Sequence, residues 1–158
     1  MNNFTHLDIK DNPAMVDVNI KPLTYRTARA RSIVVLPAEI FSLLENGELK
    51  TKKGAVFQTA ILAGIMASKR TGELIPLCHP LGLDHCGITI EVSGENELLI
   101  ECVTSITAKT GIEMEAMVGA SLAALTIYDM CKAMSHDIVI KDTKLLAKTG
   151  GKRDFKRV

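Results

Sequence analysis

A chain of 158 residues, 47% of them hydrophobic, is long enough to bury its own core, and one domain is expected across residues 1–158. Its formal charge of +1, from 19 basic and 18 acidic side chains, gives no overall field towards nucleic acid or membrane. The lack of tryptophan and an aromatic content of 4% argue further against a base-stacking platform.

Residues 1–10 hold no basic region followed by an apolar run, so no export signal is expected. The apolar stretches are broken too often by Ser, Thr, Gly and Lys to span a membrane. The cysteines, Cys78, Cys86, Cys102 and Cys131, form no Cys-x-x-Cys pair, and Cys78-His79 and His85-Cys86 match no common zinc spacing. Reduced thiols, a cytoplasmic location and no metal site are therefore expected.

Residues 1–30 have weak periodicity, with a short extended piece at 15–18. Residues 31–36 are β-branched and read as a strand. Pro37 opens a short helix to residue 45, with Ile40, Phe41 and Leu44 on one face and Gly47 as its stop. Residues 54–70 follow as a second helix, apolar over most of its circumference and so expected to be buried on more than one side. Residues 88–92 alternate, residues 93–97 are turn-forming, and residues 98–107 alternate again, which makes a β-hairpin. Residues 112–135 form a long helix of roughly 36 Å. Residues 137–148 close as a strand, and residues 1–12 and 150–158 are expected to be loose. This order predicts an α+β fold, a ferredoxin-like βαββαβ sandwich with an additional helix in the first crossover.

Residues 74–81 read Leu-Ile-Pro-Leu-Cys-His-Pro-Leu. Pro76 and Pro80 stiffen the backbone that presents Cys78 and His79, so the imidazole is aimed, as proton transfer or phosphate contact near neutral pH requires. A proline-rich turn with a half-buried histidine would look the same. On the long helix Asp129 and Lys132 lie three apart among apolar neighbours, which favours a partly sheltered ion pair over a surface one. Lys69-Arg70-Thr71-Gly72, Lys109-Thr110-Gly111 and Lys148-Thr149-Gly150-Gly151 each place a cation before a tight turn, and the second lies where the long helix begins and its free N–H groups attract anions. Glu115 and Asp129 are fourteen residues apart on one helix, roughly 21 Å. Either they serve different purposes, or two chains contribute opposite ends to a shared site. The small-residue run from Gly119 to Ala124 favours the second option, although a tight contact within the chain would use it equally well.

Several segments occur together in fixed order: Met15-Val16-Asp17-Val18, Lys53-Gly54-Ala55-Val56-Phe57, Lys69-Arg70-Thr71, the 74–81 octet, Lys109-Thr110-Gly111-Ile112-Glu113-Met114-Glu115-Ala116, residues 124–133 and residues 145–152. In this combination the chain closely resembles the MoaC family of cyclic pyranopterin monophosphate synthases, from about residue 5 to 155. The resemblance implies a homohexamer, a trimer of dimers with active sites at dimer interfaces. It implies an enzyme of molybdenum cofactor biosynthesis, a phosphorus–oxygen lyase. Such an enzyme converts 3′,8-cyclo-7,8-dihydro-GTP to cyclic pyranopterin monophosphate and releases pyrophosphate. Leu77, Cys78, His79, Met114 and Glu115 resemble the substrate-binding segments. Asp129 resembles the catalytic acid/base, with Lys53, Lys132, Glu113 and Asp17 nearby, and His79 joins the catalytic set. Lys148, Lys69 and Arg70 are then expected to meet the phosphates or the purine.

The chemistry suits these residue types. Opening the purine's imidazole ring and closing a pterin move several protons, and expelling pyrophosphate needs cations where negative charge develops. The substrate supplies every atom, so no cofactor is expected, and Mg²⁺ riding on the triphosphate is left open. A non-catalytic ferredoxin-like ligand-binding module would explain the fold but not an ion pair plus a clamped histidine. A metal-dependent phosphohydrolase would want a local carboxylate or histidine cluster, which the sequence lacks.

Overall fold

Backbone pairing in a computed structural model, which describes residues 6–157, centres on β1, Thr24–Val35. This strand is flanked by β5 (Glu97–Ala108) and β6 (Val139–Thr149). β4 (His85–Ser93) pairs outside β5, and β7 (Phe155–Lys156) outside β6, in the order β4-β5-β1-β6-β7 with every pair antiparallel. Two helices, α2 (Val56–Ser68) and α4 (Glu113–Cys131), pack on each other and on one face of this sheet. The four long strands and these two helices give the βαββαβ order of a ferredoxin-like α+β fold. The first crossover holds more than the one extra helix expected. It contains α1 (Ala38–Phe41), a small hairpin of β2 (Lys50–Thr51) and β3 (Gly54–Ala55), and α3 (Thr71–Leu74) after α2.

The differences from the sequence expectations have local causes. β1 starts seven residues earlier than residue 31 because its helix-facing side chains there, Ala28 and Ala30, are too small to register as an apolar face. They are small because α4 lies close against them. Residues 54 and 55 pair as a strand, with Gly54 at φ +110, so the second helix begins at Val56. α4 stops at Cys131, which makes its 19 residues about 28 Å long. The basic tail, expected to be loose, turns at Gly150 (φ +78), and residues 155–156 pair with β6 while Arg157 N–H donates to the Leu146 carbonyl at 2.7 Å. A side chain at Gly150 would drive its Cβ into the Tyr25 carbonyl.

The small residues of α4 serve the chain's own core. Gly64 of α2 and Gly119 of α4 face each other, and a Cβ at Gly64 would sit 2.7 Å from the Gly119 carbonyl oxygen and collide with Ile88 Cδ1. Ser68 Oγ donates to the Glu115 carbonyl at 2.9 Å, closing the same seam one turn further on. Gly64→Ala should therefore overpack the seam and cost about 1–3 kcal/mol. Thermal unfolding should show a midpoint several degrees lower, whereas Gly82→Ala, whose Cβ would meet nothing within 4 Å, should leave it unchanged.

Candidate active site

Three segments converge at the N-terminal end of α4. The octet is seated on α3, where a Cβ at Gly72 would come within 2.9 Å of Pro80 Cα. Leu77, Cys78 and His79 are half-buried there. His79 Nε2 lies 2.8 Å from the Val16 carbonyl oxygen; a carbonyl only accepts, so this nitrogen carries a proton and donates it. That bond ties residues 15–18 across the site. Lys109 Nζ adds a second tie by donating to the Asn19 carbonyl at 2.8 Å.

The turn before α4 is fixed by Arg26, which donates from Nε to the Ala108 carbonyl (3.0 Å) and from Nη2 to the Lys109 carbonyl (3.3 Å). Gly111 leaves room for the Glu113 carboxylate, which would lie 2.9 Å or less from a Cβ at that position. Glu113 Oε1 in turn accepts from Lys148 Nζ at 2.7 Å. Residues of all three segments, with Lys148, line a cavity of about 560 Å³, within the usual range for a small-molecule site. Leu77, Cys78 and His79 form one wall, and Glu113, Met114, Glu115 and Lys148 another.

Glu115 is the unusual group in this cavity. It is only 3% exposed, and burial pushes its carboxyl up to about 7, opposed by its own backbone amide and reinforced by the Glu113 charge. Burial, with the Glu115 charge adding to it, also pushes the Cys78 thiol up, so the thiolate is disfavoured.

A second cluster sits at the other end of α4. Asp129 Oδ1 accepts from Lys132 Nζ at 2.7 Å, and Oδ2 from Lys53 Nζ at 3.1 Å. The Lys132 ammonium first, and Lys53 next, hold the Asp129 carboxyl below the usual carboxylate range, and Asp129 raises Lys132 in return. The partial shelter expected for this pair is not found within one chain, where the Asp129 side chain is 53% exposed. Its neighbours Ile127, Met130 and Cys131 turn into the core, and helical periodicity turns Asp129 outward.

The remaining candidates lie elsewhere. Lys69 and Arg70 edge a separate cavity of about 220 Å³ with Gly72, Pro80 and Leu81, across the octet from the larger one. Asp17 is exposed and accepts from Asn19 N–H at 2.8 Å; it neighbours Val16 without lining the cavity.

The MoaC family model matches residues 15–151. The chain belongs to the MoaC family. It is 53% identical over 152 residues to a cyclic pyranopterin monophosphate synthase from Xanthomonas axonopodis pv. citri, covering 96% of this chain and 92% of the relative. It is also similar to longer proteins: a molybdenum cofactor biosynthesis bifunctional protein from Synechocystis (49% identical) and molybdenum cofactor biosynthesis protein 1 of Dictyostelium discoideum (46%). It covers 45% and 27% of those two.

In this MoaC-family chain the cavity has further lining residues that the sequence did not mark as site residues. Thr110 and Gly111 belong to the anion-attracting turn before α4, but Lys109 of that turn points to Asn19 instead. Lys152 lies in the basic tail that β7 holds in place. His6 and Lys21 arrive only because the segment before β1 crosses the cavity, and nothing in their local sequence signals it.

The shifted Glu115 carboxyl makes a signed prediction. Its folded-state value lies above its ordinary 4.5, so the folded form holds the proton more tightly than the unfolded form does. The associated stability is full below about 4.5 and is lost as pH rises through about 7. Urea unfolding of wild type and Glu115→Gln should give similar stabilities near pH 4. A gap favouring the glutamine variant should then open, reaching the order of 3 kcal/mol above pH 7. A difference independent of pH would mean Glu115 is not perturbed.

Proposed function

We propose that the chain is a cyclic pyranopterin monophosphate synthase of molybdenum cofactor biosynthesis, converting 3′,8-cyclo-7,8-dihydro-GTP to cyclic pyranopterin monophosphate and pyrophosphate. The observation that carries the reading is the cavity at the start of α4, where a buried carboxyl near neutrality stands beside Lys148 and the clamped His79. Its volume suits a nucleotide-derived substrate, and its groups suit a purine edge and an anionic tail. Glu115, poised near pH 7, can donate or accept a hydrogen bond at the base. Lys148 and the free N–H groups at the start of α4 favour negative charge. Lys69 and Arg70 extend that basic surface beyond the octet.

The reaction opens the imidazole ring of the purine, closes a pterin, and joins the α-phosphate to the sugar as pyrophosphate leaves. Asp129, paired with Lys53 and Lys132, is the acid/base centre of this reading. In the geometry described, its carboxylate serves as counter-ion and the lysine ammonium groups are the protons at hand. Glu113 pairs with Lys148 and aims its ammonium across the cavity. Cys78 contacts substrate without acting as a nucleophile, because its thiol is held protonated.

One chain does not complete this site. Glu115 and Asp129 stand at opposite ends of an unbroken helix, roughly 21 Å apart. A homohexamer built as a trimer of dimers, with Asp129, Lys53 and Lys132 of one subunit facing the cavity of the next, reconciles that distance with a single reaction. No helix among the described residues is long and apolar enough to cross a membrane. The cytoplasmic location belongs to the same proposal and is supported by the free cysteines.

Purified protein mixed with the cyclised dihydro-GTP should release one pyrophosphate per substrate and yield a pterin that fluoresces after oxidation. Cys78→Ser should keep much of this turnover, and Asp129→Asn should lose about 10²–10⁴-fold. Folded protein that releases no pyrophosphate from this substrate would overturn the reading, and complete loss in the serine variant would bring covalent catalysis back.

A further inference from the structure

Glu48 precedes the β2–β3 hairpin, and its carboxylate does unusual work for a loop residue. Oε1 accepts from Leu49 N–H and from Phe57 N–H, each at 2.8 Å, and Oε2 accepts from Gln58 N–H at 3.2 Å. Phe57 and Gln58 are the second and third residues of α2, whose orphan amides a helix normally satisfies with its own cap. Ala55 sits at that cap and has no side-chain acceptor. Val56 N–H, the remaining donor of the turn, bonds the Leu49 carbonyl at 2.8 Å. Glu48 and Leu49 therefore hold the first turn of α2 from outside the helix.

The loop closed by this clamp is the one that carries Lys53. The hairpin between Leu49 and Val56 has only two residues per strand, Lys50 and Thr51 against Ala55 and Gly54. A pair that short cannot hold its own shape in water. Within the hairpin its tip is tied by Lys53 N–H to Thr51 Oγ1 at 3.1 Å and Thr51 Oγ1 to the Gly54 carbonyl at 3.4 Å. From that tip the Lys53 ammonium reaches Asp129 Oδ2 at 3.1 Å and the Asp129 carbonyl at 3.4 Å. The base of the hairpin must be fixed for the tip to point at α4, and Glu48 bonds both sides of the base.

We propose that Glu48 is a positioning residue of the reaction, holding the hairpin base so that Lys53 stays against Asp129. This rests on the reading of Lys53 and Asp129 as part of the reacting cluster. Glu48 touches no substrate; it acts through Lys53. A carboxylate is the fitting group, because its two oxygens serve three donors and its charge complements the positive end of α2. Glutamine offers one good acceptor and turns its NH₂ towards another donor.

Two readouts test this. In the first, Glu48→Gln should lower kcat about 10–100-fold, the cost of a misplaced reacting group, with KM little changed. In a Lys53→Ala background the same substitution should cost less than about twofold, because the residue it positions is already gone. In the second, a short pulse of acetic anhydride followed by peptide mass spectrometry compares Lys53 with its neighbour Lys52 in the folded enzyme. Wild type should protect Lys53 relative to Lys52, and Glu48→Gln should erase the difference. Costs that multiply in the double variant, or an unchanged labelling ratio, would overturn the proposal. The labelling arm needs no turnover, so it decides the matter even if Lys53→Ala is inactive. A wild-type enzyme without turnover would sink the proposed reaction while leaving the labelling result to judge Glu48.

Discussion

Two glycines, Gly64 and Gly119, let α2 and α4 approach until backbone nearly meets backbone, and much of the candidate site is a consequence of that approach. With no Cβ between them, Ser68 at the end of α2 can reach the carbonyl of Glu115 in the first turn of α4. This contact buries Glu115 at the edge of the core, where water cannot fully solvate its charge. The octet follows α2 through the single turn of α3 and is carried to the same place. At the other end of the pair, the first turn of α2 brings the hairpin with Lys53 beside the last turn of α4. One helix–helix seam thus places two chemical clusters, and it also fixes the distance between them.

The two ends of α4 solve opposite electrostatic problems. Its N-terminal turn carries Glu113 and Glu115, which the helix dipole favours, and Lys148 neutralises the more exposed of the two. Its C-terminal turn carries Asp129, which the dipole disfavours. Two ammonium groups offset that cost, one from Lys132 at the helix end and one from Lys53 across a gap of 76 residues in sequence. A carboxylate kept where it is unfavourable, and held by two cations while still about half exposed, is better explained by chemistry than by stability.

Much of this was legible in the sequence where the signal is local. Alternation marked the β4–β5 hairpin, the apolar circumference of α2 marked a helix buried on more than one side, and the proline-framed octet marked one wall of the cavity. Signals that depend on a distant partner were not legible. The start of β1, before residue 31, reads as polar because Ala28 and Ala30 face a helix too close to admit anything larger. β7 is two residues held through backbone groups, which carry no sequence identity. The run from Gly119 to Ala124 looked like room for a second chain, yet Gly119 is used inside the chain against α2. Glu48 caps a helix that starts eight residues later, beyond the reach of any capping-box pattern. His6 and Lys21 join the cavity only through the path of residues that precede β1.

The central claim is that the cavity at one end of α4 and the Asp129 cluster at the other belong to one reaction and come from two chains. Complementation measures this directly. Glu115→Ala and Asp129→Ala proteins should each be nearly inactive alone. After mild dissociation and mixing, each mixed dimer would hold one site with both defects and one with neither. Random pairing in a two-fold dimer makes half the dimers mixed, so activity should return to a ceiling of about a quarter of wild type. Verified subunit exchange, by mass spectrometry, with no return of activity would contradict the account.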